Sequence, residues 1–123
     1  MNVPAPAAAP HEARRSTRHA PESPTPVVDA MRERVLGVAM DLSAGGMKLL
    51  ASAPLVDSAL YQVHFALDFP GEGRIPLEAG MQVVNQRRMA EGNVVGLRFI
   101  HMQGAHSQRL GRWLRARGSD GRH

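Results

Sequence analysis

The chain has 123 residues, 43% of them hydrophobic, which suits one domain with a real core and leaves little for a second. It contains no cysteine, so disulfide frameworks, thiolate nucleophiles and thiolate metal sites are all excluded. The formal net charge is +4 and Lys48 is the sole lysine, so the surplus sits on arginine, the side chain whose planar fork suits phosphates and guanine edges.

Residues 1–12 read as a flexible Ala/Pro-rich tail without periodicity. They lack the basic start and apolar stretch of a secretion signal. No apolar run in the chain approaches the roughly 20 residues of a membrane span. These features predict a cytoplasmic protein with no membrane insertion. Residues 13–19 form an arginine arm, in which Arg14, Arg15 and Arg18 cluster. Pro21, Pro24 and Pro26 then mark an extended or turning connection.

From about residue 25 to 102 the pattern is that of strands. Thr25 to Met31 reads as a weak first strand and Arg34 to Leu42 as a stronger second. Gly45-Gly46 predicts a tight turn into a short strand over Met47 to Ala51. Between Leu60 and Phe69, the residues Tyr61, Val63, Phe65, Leu67 and Phe69 share one face, the period of a half-buried strand. After a turn at Pro70 to Gly73, the alternation resumes at Ile75, Leu77, Ala79, Met81 and Val83. Ala90 to Asn93 turns again, and Val95, Leu97 and Phe99 line a last strand. Met40, Met47 and Met81 fall on core positions.

The period then changes. Leu110, Trp113 and Leu114 share one face of a helix over about 105–116, with Trp113 as a packing anchor. Gly118 predicts its stop, followed by a flexible tail over 118–123. Six short antiparallel strands followed by one helix predict a mainly β domain, a small barrel or sandwich with the helix over an open end or edge.

Two motifs carry candidate chemistry. Arg14-x-x-x-Arg18, with Arg15 beside it, precedes the strands. Asp41-Leu42-Ser43-Ala44-Gly45-Gly46, a D-x-S-x-x-G pattern, ends the second strand. Asp41 and Ser43 lie two apart and are expected on one face, with Leu42 in the core. Gly46 is expected to supply a positive φ or to let a ligand approach the backbone. An ordinary strand-to-turn cap, with Asp41 and Ser43 bonding local backbone, accounts for the same residues. Arg98, facing away from Leu97 and Phe99, reads as a plain surface arginine.

In the order, spacing and strand context of RxxxR and DxSxxG, and in the late Gly96-Leu97-Arg98-Phe99 strand, residues 13–117 resemble the PilZ domain family. The resemblance implies a six-stranded antiparallel barrel with a C-terminal helix and a receptor for cyclic di-GMP. It implies ligand contacts at Arg14, Arg15, Arg18, Asp41, Ser43 and Gly46, and an unidentified protein partner that reads the bound state. The alternative within the same fold is an interaction module of motility, pilus or exopolysaccharide machinery that binds no ligand.

The chemistry suits the implied ligand. Its guanines offer O6 and N7 to an arginine fork, and their Watson–Crick N–H groups suit an Asp41 carboxylate. No nucleophile–base pair, phosphate loop or metal-spaced histidines appear, so neither an enzyme nor a cofactor is expected. Nucleic acid is not expected as a partner, because the few aromatic residues fall mostly on the inward pattern and offer no stacking platform.

Overall fold

The alternating strands close on themselves in a computed structural model of the chain, which describes residues 17–122. The strands are β1 (Pro26–Asp29), β2 (Arg34–Leu42), β3 (Gly46–Ala51), β4 (Leu60–Phe69), β5 (Gly73–Met89) and β6 (Gly92–His101). One helix, α1 (Gly104–Arg122), follows. All pairings are antiparallel, in the order β1-β2-β3-β6-β5-β4, and β1 pairs with β4 to close the barrel. Closure leaves no free sheet edge among these strands. Residues 1–16 lie outside the described residues, and with them the expected tail, Arg14 and Arg15.

The inward side chains are those the period of two selects. Leu42, Met47, Leu49, Val63, Leu67, Leu77 and Met81 are buried and form one cluster with Leu110 and Trp113 of α1. Trp113 anchors the helix to the barrel, as its spacing predicts. Burying an aromatic of this size removes on the order of 200 Å² from water, worth at most roughly 5 kcal/mol. Outside this contact, Arg112 pairs with Glu72 in the β4–β5 turn at 2.6 and 3.2 Å and stacks on Phe69. The hydrogen bond from Arg112 holds the Glu72 carboxyl below the usual glutamate range and raises Arg112 in turn.

Four expectations are corrected. The first strand stops at Asp29 instead of reaching Met31, because the buried Asp29 carboxylate accepts the N–H groups of Met31 and Arg32 and turns the chain there. Met40 is 40% exposed instead of lying in the core. β5 runs on to Met89, beyond the alternation that ends at Val83, because a register shift between Val83 and Asn85 breaks the period without ending the strand. The helix continues past 116 and through Gly118 to Arg122 instead of giving way to a flexible tail. A glycine ends a helix by turning left-handed, and Gly118 does not do so.

Candidate functional site

The site begins with a break in the β2 ladder. Ala39 pairs with Leu49 and faces the core, so strict alternation would turn Asp41 inward as well. A bulge between Ala39 and Asp41 inserts Met40 as an extra residue and resets the period. Asp41 therefore sits opposite Lys48 on the outer surface, its side chain 21% exposed, while Leu42 returns to the core opposite Met47. The outward placement of a carboxylate between the core residues Ala39 and Leu42 is thus a product of the bulge at Met40.

The end of the arm, at Arg18 and His19, is laid across the end of this strand. His19 and Leu42 form an isolated antiparallel bridge, with each N–H donating to the other's carbonyl at 2.9 Å. That pairing carries Arg18 to Asp41, and Arg18 Nη1 donates to Asp41 Oδ1 at 2.7 Å. The two motifs, 23 residues apart in sequence, therefore meet side chain to side chain. The segment leaving the arm is held by α1. Arg117 donates to the Ala20 carbonyl at 3.1 Å, lies 3.4 Å from the Glu22 carboxylate and stacks on Trp113.

Ser43 and Gly46 do different work from Asp41. Ser43 is 1% exposed, so it does not share the outer face with Asp41 as expected from spacing. Its Oγ accepts the Gly45 N–H at 3.3 Å and donates to the Gly46 carbonyl at 3.4 Å, while its own N–H donates to that carbonyl at 2.8 Å. These bonds brace the β2–β3 turn, the local role that the strand-to-turn alternative describes.

Gly46 has no positive φ. A Cβ there would strike the Leu97 carbonyl oxygen and lie 2.9 Å from Arg98 Cα. Its small size lets β3 enter the sheet against β6, a reason for glycine that lies in the barrel itself.

Two cations border the motifs. Lys48, opposite Asp41, also pairs with Gly96 on β6. Arg98, opposite Gly46, donates through Nε and Nη2 to Gln82 Oε1 at 3.1 and 2.9 Å. Sequence reasoning passes over Lys48 and reads Arg98 as ordinary surface. Only the strand register places them beside Asp41 and Gly46. Among the described residues no helix is long and apolar enough to cross a membrane.

Comparison with known proteins agrees with this fold. The PilZ domain model matches residues 12–116. YcgR from Escherichia coli, in a crystal structure with c-di-GMP, superposes with a TM-score of 0.65 at 20% identity, covering 89% of this chain and 47% of that one. The Bacillus subtilis inhibitor of motility, MotI/DgrA, superposes with a TM-score of 0.65 at 15% identity, covering 87% of this chain and 51% of that one. The chain spans about half the length of either structure. No curated protein matches by sequence.

Proposed function

This chain belongs to the PilZ domain family, and on that premise we propose that it is a receptor for cyclic di-GMP. The observation that carries the reading is the 2.7 Å contact between Arg18 and Asp41, which joins the two motifs on the outer face of the barrel. Arg14, Arg15 and Arg18 grip phosphate and guanine edges with their planar forks. Asp41 accepts the Watson–Crick N–H groups of a guanine. Ser43 and Gly46 act by building the turn that presents Asp41. The YcgR structure, a likeness in fold that was solved with c-di-GMP, supports the same reading.

Arg18 is held by Asp41, so a ligand that takes its guanidinium must share or displace that carboxylate. The same movement strains the His19–Leu42 bridge and reaches the segment that Arg117 ties to α1. A partner protein that reads α1 and the arm would sense it.

Calorimetric titration with cyclic di-GMP tests the reading, with GTP as the control nucleotide and Arg18→Ala and Asp41→Asn as variants. Micromolar or tighter binding by the wild type, weakened tenfold or more in each variant, is the expected outcome. No heat and no thermal protection at high ligand concentration would leave the fold standing and assign the domain to protein interaction alone.

A further inference from the structure

We propose that Lys48 and Arg98 form a second, phosphate-binding half of this site, on strands that neither motif includes. The proposal rests on the cyclic di-GMP reading and names residues that reading does not assign. The strand register carries it. Asp41 on β2 stands opposite Lys48 on β3, Lys48 stands opposite Gly96 on β6, and Arg98 lies two residues further along β6, opposite Gly46. Directly opposed side chains on one face have their Cβ atoms about 5 Å apart, and diagonal ones about 7–8 Å. Lys48 is therefore an immediate neighbour of Asp41 and a diagonal neighbour of Arg98. Gly96 presents no side chain of its own opposite Lys48, and the Asn85 amide from β5 lies over it, so the neighbour of Lys48 on that side is a neutral polar group.

Both cations are available. Among the described residues, the Lys48 side chain has no hydrogen bond or ion pair, since Asp41 is turned to Arg18. Arg98 has no carboxylate partner there; its Nε and one Nη are held by the Gln82 carbonyl oxygen. That bond sets the guanidinium plane and leaves Nη1 and its protons for an acceptor. Several arginines elsewhere on the barrel and helix are neutralised: Arg74 by Asp68, Arg112 by Glu72 and Arg117 by Glu22.

Arg18 and Asp41 cancel, so the patch keeps two positive charges, one for each phosphodiester of a cyclic dinucleotide. The chemistry of the two differs. Lys48 offers a compact ammonium on a flexible stem, and Arg98 a plane already oriented, which loses less entropy on meeting an anion.

The test uses the full chain and cyclic di-GMP in calorimetry at low and moderate salt. It compares wild type, Lys48→Gln, Arg98→Gln, Arg18→Ala and Arg34→Gln. Arg34 is exposed at the far end of β2 and removes the same charge away from the site. The expected result is a loss of about five- to fiftyfold for Lys48→Gln and for Arg98→Gln, with weaker salt dependence than wild type, and no change for Arg34→Gln. Matching melting curves exclude unfolding as the cause.

If wild type binds, Arg18→Ala fails to bind, and both Gln variants bind as wild type, the second half-site is refuted and the receptor reading stands. An equal loss in Arg34→Gln refutes it too, by reducing the effect to net charge. If wild type does not bind, both ideas fall.

Discussion

In a Gly46→Ala variant the new methyl group is aimed at the backbone of β6. It meets the Leu97 carbonyl oxygen and lies 2.9 Å from Arg98 Cα. Both are ladder atoms, and neither can swing away as a side chain would. The Gly46–Arg98 pair is flanked by the bond from Phe99 N–H to the Gly45 carbonyl at 2.9 Å, so parting the strands weakens that bond as well. Overpacking costs about 1–3 kcal/mol and a strained hydrogen bond roughly 1 more, giving an expected loss of about 2–4 kcal/mol. At about 4 °C per kcal/mol, where the ranges for smaller and larger domains meet, the melting midpoint falls by roughly 8–16 °C. Thermal melts followed by far-ultraviolet circular dichroism measure this, with Gly104→Ala as the control, since nothing lies within 4 Å of a Cβ there. An unchanged midpoint with cyclic di-GMP binding lost would refute the argument. Gly46 would then serve ligand approach, and the close passage of β3 against β6 would not matter.

Ser43→Ala removes the hydroxyl that braces the β2–β3 turn and leaves the Gly45 N–H without its partner, so stability should fall by about 1–2 kcal/mol in urea titration; full stability with weakened ligand binding would show that the hydroxyl serves the ligand instead. Gly118→Ala should stabilise the domain by up to about 1 kcal/mol, because the helix runs through this position. A lower midpoint would restore Gly118 as a left-handed stop. Glu72 titrates below its ordinary value because Arg112 donates to it. Its contribution is therefore present above the unfolded glutamate value of about 4.3 and is lost as pH falls through the lower folded value. The gap in midpoint between wild type and Glu72→Gln should close on acidification from about pH 6 to about pH 3, and a gap that persists at the acid end would count against the Arg112 pairing.

The strands were legible wherever one face is buried and the other wet. Leu60 to Phe69 alternates without interruption and is a strand over those same residues. Leu110, Trp113 and Leu114 repeat at helical spacing and pack on the barrel. The strand readings that missed share a cause: a local irregularity that a period cannot carry. The bulge at Met40 put a methionine outside, the register shift after Val83 hid the second half of β5, and the carboxylate of Asp29 ended β1 early.

The sequence by itself determined which residue types were present, in what order, and with what periodicity. That was enough for a mainly β domain with one helix and for the resemblance carried by Arg14, Arg18, Asp41, Ser43 and Gly46. Their division of labour was decided by the tertiary structure. Asp41 faces outward because of a bulge, Ser43 turns in to brace the hairpin, and Gly46 is needed by a neighbouring strand 51 residues further on, at Leu97. Lys48 and Arg98 joined the site through register alone. A spacing along the chain records only which residues are near in sequence. Which strand lies beside which, and which face each residue takes after a bulge, is set by closure of the barrel.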